Sequence, residues 1–216
     1  MRMRSTLVPA VLVLAASAGS ASAALITISG GTFAGSFGTN DVLAQNSQNV
    51  VQIVGATSNA SFVGDVEVAN LNNGTSLLLT LTNFIFTSES NTPLVLTIDI
   101  TQDYDVAGIF GWTGSHQFNG NMDFTAAGQV GNLFVTSQHE GTNLPDLLQN
   151  EVAAGPGIVT LNRGQGAATI IAPVTNPYTI RTVYTMTLTA GSAGPVSLVL
   201  PNSGVDQASL IPVPSS

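Results

Sequence analysis

Four side chains within one stretch of the chain are the first candidates for chemistry. Residues 99–124, DITQDYDVAGIFGWTGSHQFNGNMDF, contain the only tryptophan, one of the two histidines and four acidic residues. Asp103 and Asp105 are two positions apart, so on a strand both carboxylates point to one face, with Cα atoms about 6.5 to 7 Å apart. They can share a calcium ion if backbone carbonyls supply the remaining oxygens. We favour solvated carboxylates at a strand end, with calcium as the alternative.

The tryptophan of this stretch, Trp112, has two interpretations. It lies among three glycines, a setting that can expose an indole face to the apolar face of a sugar ring. A lone tryptophan in a β-sheet protein is more often a core residue, and we favour that interpretation. These glycines are Gly108, Gly111 and Gly114.

The histidine of this stretch, His116, falls on the same face as Met122 and Phe124 if one strand runs through residues 116–124. A tight hairpin turn at Asn119-Gly120 is the alternative. That turn would pair Met122 with Gln117, so we favour the continuous strand and expect a partly buried, hydrogen-bonded histidine.

Catalytic signals are weak elsewhere. His139 is followed by Glu140, an acid and base pair suited to proton transfer, but neighbours in sequence point apart on a strand. Motifs for serine hydrolases, zinc peptidases and phosphate-binding loops are missing, and the chain has no Cys or Lys. Glycosidase chemistry needs a pair of carboxylates, and their spacing here selects no pair. The carboxylates that leave this open are Glu67, Glu89, Glu140 and Glu151.

These observations predict no catalytic residue and no metal-ligand set. The candidate ligand-binding residues are Asp103, Asp105, Trp112 and His116. No cofactor is expected, apart from the calcium alternative.

Composition limits the partners. The chain has four Arg residues and no Lys against 12 Asp and Glu residues, which gives a formal charge of −8. Such a surface repels phosphate backbones and anionic lipids, so nucleic-acid binding is not expected. Charged residues make up only 7% of the chain and hydrophobic residues 44%. The protein must therefore fold around a real core and cover it mostly with neutral hydroxyl and amide side chains.

The elements that must carry these residues are strands. Apolar and polar residues alternate along most of the chain, and Gly, Asn, Ser and Pro separate the runs. Predicted strands lie at 25–29, 50–54, 60–69, 76–86, 93–106, 116–124, 133–137, 158–162, 168–172, 178–189 and 196–200. The alternation changes phase at Asn83, which predicts a β-bulge there. The pattern predicts one all-β domain over residues 24–202, a β-sandwich or jelly roll of about ten or more short antiparallel strands.

One segment departs from the strand pattern. Residues 142–155, TNLPDLLQNEVAAG, offer Asn143 as a helix cap, an early proline and a final glycine, which predict one short helix. Residues 203–216 lose the alternation and gather prolines, so a flexible tail is expected there.

The N-terminus predicts export. Residues 1–23 have two arginines, a short apolar run and small residues ending at Ala23, the layout of a cleaved secretory signal peptide. The apolar run is too short to span a bilayer. A secreted, extracellular protein without a membrane anchor is therefore expected. With no Cys, it must be stabilised by packing alone.

The tail SLIPVPSS, residues 209–216, resembles the start of the sorting signal of PEP-CTERM proteins, which bacteria process with exosortases. Val213 stands where that family has a glutamate, and the family's membrane helix and basic end do not follow. The signal peptide, the low charge and the Thr, Asn and Gly-rich composition are similar to that class in style. The resemblance implies export across an inner membrane and association with extracellular polysaccharide or the cell surface.

Three functional hypotheses follow, in order of preference. The first is a non-enzymatic β-sandwich of the cell surface or extracellular matrix, with polysaccharide or other surface proteins as partners. The second is a carbohydrate-binding module, with Trp112 as a sugar platform and Asp103 and Asp105 as polar or calcium-assisted contacts. The third is a glycan-active hydrolase with an unrecognised carboxylate pair.

Overall fold

A computed structural model describes most of the chain after the predicted signal peptide. The described residues are 24–30, 33–38, 41–106, 109–143, 156–171, 174–201 and 205–212. Within these residues the fold is nearly all β, with a single 3₁₀ turn at Gly191–Ala193. No described helix is long and apolar enough to cross a bilayer.

Thirteen strands are present in the described residues. They are β1 (Leu25–Gly30), β2 (Phe33–Phe37), β3 (Ser47–Ala56), β4 (Ala60–Leu71), β5 (Ser76–Ser88), β6 (Leu94–Tyr104), β7 (Ile109–Phe124), β8 (Val130–His139), β9 (Thr142–Asn143), β10 (Gly157–Ile171), β11 (Tyr178–Thr189), β12 (Val196–Leu200) and β13 (Val205–Pro212). All pairings between them are antiparallel. This confirms the predicted all-β class.

The strands form two sheets packed face to face. Sheet I has the order β2-β1-β6-β11-β8-β9. Sheet II has the order β10-β7-β12-β5-β4-β3, with β13 between β7 and β5 as well. The core lies between the sheets because alternate residues of each strand point inward. In β6, for example, Leu96, Ile98, Ile100 and Tyr104 are fully buried.

The predicted bulge at Asn83 is confirmed. Val63 pairs with Ile85 but Asp65 pairs with Thr82, so β5 has one residue more than β4 at this point. Asn83 adopts a left-handed φ of 51°, which asparagine tolerates better than most residues. Its amide donates a hydrogen bond of 3.0 Å to Asp65 Oδ2. The extra residue turns the following phenylalanines of β5 into the core.

The prediction of a flexible tail from residue 203 is wrong for residues 205–212. These residues form β13, in which Ala208 and Leu210 are buried. β12 and β13 run in the same direction through the same position between β5 and β7, so they act as one interrupted strand near the middle of sheet II. The prolines hid this strand from the sequence pattern, because proline is rare within sheets.

Other differences are local. The two strands predicted at 158–162 and 168–172 are a single strand, β10, with a register shift between Arg163 and Gly166. β2 has no counterpart among the predictions. Asn143, the expected helix cap, belongs to β9, and residues 144–155 of the predicted helix lie outside the described residues. Residues 1–23 and 213–216 also lie outside them.

Candidate functional site

Three carboxylates surround the residues that lead into β11. Asp103 lies near the end of β6, Asp105 directly follows that strand, and Glu140 follows β8. All three accept hydrogen bonds from the segment 175–179, which we call the β11 entry loop. The end of the sandwich where β6 finishes thus unites residues that the sequence places far apart.

The two aspartates hold opposite sides of the β11 entry loop. Thr179 Oγ1 donates to Asp103 Oδ1 at 2.6 Å, and Asn176 Nδ2 donates to Asp105 Oδ1 at 3.1 Å. Asn176 also accepts a hydrogen bond of 3.2 Å from the backbone N–H of Val106. Both aspartates are partly exposed, whereas Tyr104 between them is fully buried.

Glu140 holds the loop from the third side. Its Oε1 accepts the backbone N–H of Thr179 at 2.7 Å, and its Oε2 accepts the hydroxyl of Thr175. Glu140 and Gly141 have φ values of 50° and 70°, as in the two-residue turns that join hairpin strands. This turn explains why His139 points into the core while Glu140 folds over the loop.

The backbone carbonyls of Asp103 and Asp105, which a calcium site here would use, already accept hydrogen bonds within the fold. The carbonyl of Asp103 accepts hydrogen bonds from Leu43 N and from Gln102 Nε2. The carbonyl of Asp105 accepts one from Asn70 Nδ2 at 2.9 Å. Among the described residues no group of three or more His, Cys, Asp or Glu side chains is arranged to hold a metal ion. Both aspartate carboxylates accept hydrogen bonds from other parts of the fold, so they are not simply solvated at a strand end as expected.

A buried aromatic cluster lies next to the β11 entry loop, and we define it as Trp112, His139 and Tyr178. The rings of Trp112 and His139 stack with centroids 5.1 Å apart. Tyr178 meets both rings edge-on, at 6.2 Å and 6.0 Å. Its hydroxyl shares a hydrogen bond of 3.0 Å with His139 Nδ1. Trp112 belongs to sheet II and the other two to sheet I, so the cluster fastens the sheets to each other.

The sugar-platform interpretation of Trp112 is not supported, because the side chain is only 2% exposed. The core interpretation matches this position. His116 is more buried than expected, at 1% exposure, and its ring lies 6.4 Å from that of Tyr184. Trp112 and His116 both face the interior from β7, which runs continuously through residues 116–124 as predicted. The structure therefore separates Trp112 and His116, which are internal, from Asp103 and Asp105 at the surface.

The roles of Gly114 and Tyr178 in the buried aromatic cluster were not predicted from the sequence. A Cβ atom at Gly114 would lie 2.7 Å from Trp112 Cζ3 and 2.9 Å from His139 Nδ1. Only glycine leaves room for the stacked rings, a close approach that sequence alone does not reveal. Tyr178 begins the predicted strand 178–189, but no local signal indicates its contact with Trp112 of the other sheet.

Two shallow clefts lie at the opposite end of the sandwich, near the start of β6. One has a volume of about 120 Å³ and the other about 440 Å³. Their linings are mainly Ser, Thr, Asn, Gly and Ala, and Glu89 borders both. Neither lining contains a second carboxylate, so neither cleft offers the pair that glycoside hydrolysis requires.

The outer face of sheet I carries a described ion pair. Arg181 Nη2 lies 2.6 Å from Asp99 Oδ2, and Arg181 Nε donates to Asp99 Oδ1 at 3.0 Å. The hydrogen bonds that Arg181 donates to Asp99 raise the pKa of Arg181, while partial burial lowers it by less. Such an exposed pair contributes little to stability. Because the two charges cancel, the ion pair adds no net charge to an outer face that is otherwise rich in hydroxyl groups.

Comparisons with known proteins give little. No family model and no curated protein matches the chain. One similar solved structure is the enzymatically active domain of tailspike protein 4 from bacteriophage CBA120, at 12% identity and a TM-score of 0.24, covering 76% of this chain and 19% of that one. Another is the GH31 alpha-xylosidase of Xanthomonas citri, at 7% identity and a TM-score of 0.21, covering 88% of this chain and 28% of that one.

A third similar structure is that of the infectious bursal disease virus Gt strain, at 12% identity and a TM-score of 0.18, covering 95% of this chain and 80% of that one. The chain spans about a fifth of the tailspike chain and just over a quarter of the xylosidase chain. Likenesses this weak carry no argument about fold or function.

Proposed function

We propose that this protein is an exported, non-enzymatic β-sandwich of the cell surface or extracellular matrix that contacts hydrated polysaccharide through the outer face of sheet I. The supporting observation is a regular array of threonines, which we call the threonine face. It consists of Thr97 and Thr101 of β6, Thr185 and Thr187 of β11, and Thr136 of β8. The residues directly before and after each threonine in its strand are buried, so all five threonines lie on the solvent side of the sheet.

The strand register aligns hydroxyl groups across this face. Ser29 pairs with Thr97, Thr97 with Thr185, and Thr185 with Phe134, which makes one row over four adjacent strands. Neighbouring strands are about 4.8 Å apart, so the hydroxyls repeat at short and regular intervals. Hydroxyl groups both donate and accept hydrogen bonds, which suits contact with the hydroxyls and bound water of a polysaccharide.

The positions of the carboxylates and histidines, the side chains most suited to catalysis, also support a non-enzymatic role. The carboxylates around the β11 entry loop fasten backbone and side chains, and both histidines are in the core. Glycoside hydrolysis needs two carboxylates that face each other across a cleft. Each of the two described clefts is lined by only one carboxylate, that of Glu89.

Co-sedimentation with insoluble and gel-forming polysaccharides tests the proposal. We expect weak binding to neutral polysaccharides, and weaker binding to acidic ones because the chain carries a charge of −8. The double variant Thr97→Val with Thr185→Val should reduce binding, because it removes two hydroxyls while keeping the side-chain shape. Thr160→Val, on the exposed side of β10, is the matched control. Release of new reducing ends from any polysaccharide would contradict the non-enzymatic role.

A dedicated carbohydrate-binding module is the second candidate, favoured by Phe134. Its ring lies partly exposed at the end of the hydroxyl row, beside Thr185. An aromatic face next to hydroxyls is suited to one sugar ring. A glycan array distinguishes the candidates, since a module should bind a small set of glycans and lose them in Phe134→Ala. Uniform weak binding that persists in Phe134→Ala favours the matrix role.

A further inference from the structure

We propose that the outer edge of β3 pairs with the same edge of a second copy of the chain, so that one antiparallel strand pair joins two copies of sheet II. The proposed polysaccharide contact is on the other sheet, and the two proposals do not depend on each other. The case for self-pairing rests on the backbone geometry of β3, on its lack of charge and on its self-complementary sequence.

One edge of β3 carries backbone groups that pair with no other described strand. The N–H of Thr57 donates to the carbonyl of Ala60 at 2.8 Å, which fixes the start of the β3-β4 ladder. Because antiparallel ladders alternate, the even residues of β3 then direct their N–H and C=O groups away from β4. These residues are Gln48, Val50, Gln52, Val54 and Ala56. Within the described part of the chain, β3 pairs only with β4.

This edge carries none of the features that normally prevent strands from pairing. Natural edge strands are short, bulged or marked by charges and prolines. β3 has ten residues, SQNVVQIVGA, with no proline, no charged side chain and no register shift against β4. The other described edges differ: β10 contains a register shift, β2 has five residues and β9 has two. Only β3 therefore combines length, regularity and an unprotected edge among these four.

The charge distribution favours a second copy of the chain as the occupant. Two copies of an acidic protein repel each other, so they should meet where neither carries charge. Two acidic side chains of β4 pair with residues of this edge, Asp65 with Gln52 and Glu67 with Val50. Each carboxylate accepts a hydrogen bond within its own copy, Asp65 from Asn83 and Glu67 from Gln48. β3 itself carries no charged side chain, so a pair of β3 strands brings neutral residues of two acidic molecules together.

The sequence of β3 also matches itself. In a two-fold symmetric antiparallel pair centred on Gln52, Val50 of one copy lies opposite Val54 of the other, and the two Gln52 residues face each other. Val50, Gln52 and Val54 all project from the outer face of sheet II, and Val50 is 47% exposed. Directly opposed β-branched residues stabilise antiparallel pairs. The interface would therefore form backbone hydrogen bonds and would also cover the apolar side chains of Val50 and Val54.

Analytical ultracentrifugation of the full chain, expressed with its own N-terminal segment, tests this pairing. We expect a concentration-dependent dimer in the wild type. Gln52→Pro should weaken it about thirtyfold, because each copy loses one intermolecular hydrogen bond, at roughly fivefold each. Proline is tolerated here because the lost N–H points away from β4. Gln52→Thr keeps the N–H and is the matched control. A wild type that stays monomeric, or a dimer that Gln52→Pro leaves unchanged, overturns the proposal.

Charge exchange tests the register and does not depend on whether the proline variant folds. The variant Val50→Asp with Val54→Asp places like charges opposite each other in the dimer and should be monomeric. The variant Val50→Lys with Val54→Lys should be monomeric for the same reason. Mixing the two should restore a heterodimer, detected by native mass spectrometry. Failure of the mixture to associate, with both variants folded by circular dichroism, overturns the register centred on Gln52.

Discussion

The hydroxyl of Tyr178 and Nδ1 of His139 share a hydrogen bond of 3.0 Å inside the sandwich, where neither side chain is exposed to solvent. The pair joins the first residue of β11 to the last residue of β8. Trp112 of the opposite sheet stacks on the histidine ring. We therefore regard the pair as a fastener of the sandwich end beside the three carboxylates.

Removing the tyrosine hydroxyl should destabilise the fold measurably. Tyr178→Phe keeps the ring contacts but deprives a buried imidazole nitrogen of a partner, which costs about 1 to 3 kcal/mol. Urea unfolding followed by circular dichroism gives the free energy. Thr113→Ser, on the outer face of β7, is the control and should stay within about 0.5 kcal/mol of the wild type. A Tyr178→Phe protein as stable as the control would contradict a structural role for the bond.

Tryptophan fluorescence checks the position of Trp112 directly, because the chain has no other tryptophan. Buried at 2% exposure, the indole should emit at shorter wavelength in the native protein than in the urea-unfolded chain. Iodide should quench the native protein weakly and the unfolded chain strongly. Adding soluble glycans should leave the emission unchanged. Efficient quenching of the native protein would restore the sugar-platform interpretation.

Loss of the Glu140 carboxylate should loosen the β11 entry loop. Glu140→Gln removes the charge and one of the two acceptor oxygens that bind Thr175 and Thr179, at a cost of about 1 to 2 kcal/mol. Glu89→Gln, at the exposed opposite end, should change the free energy of unfolding by less than about 0.5 kcal/mol. Both differences should be the same in calcium and in EGTA. A calcium-dependent gain in wild-type stability that Glu140→Gln abolishes would instead indicate an ion at this loop.

The last strand offers a test of the C-terminal part of the fold. Leu210 is 6% exposed in β13, so Leu210→Ala should lower the free energy of unfolding by about 2 to 5 kcal/mol. Ser209→Ala, at the exposed neighbouring position, should have little effect. Equal stability of the two variants would mean that this segment does not contribute to sheet II.

The fold class and most strands could be predicted because period-two alternation is a local property. Residues 94–104 and 178–189 alternate so regularly that the inward faces of β6 and β11 follow from the sequence alone, as does the bulge at Asn83. β13 could not be predicted in the same way. Its place depends on β5 and β7 leaving a position open between them, and its prolines argue locally against a strand.

The candidate site was predictable only in part. The shared face of Asp103 and Asp105 follows from their spacing, whereas their partners Thr179 and Asn176 are more than 70 residues away. The sequence likewise left open whether Trp112 is exposed. Its burial depends on the two rings that β8 and β11 bring against it, and on the space left by Gly114.

The sequence by itself determined the all-β architecture, the neutral hydroxyl-rich composition and the acidic charge, because these are properties of residue types and their alternation. The tertiary structure decided which polar groups support the fold and which face solvent. It turned two histidines and the tryptophan inward, tied three carboxylates to one loop, and left the threonine face and the edge of β3 exposed. The physical reason is that burial and hydrogen bonding depend on which strands become neighbours, and strand order is set by contacts between residues far apart in the chain.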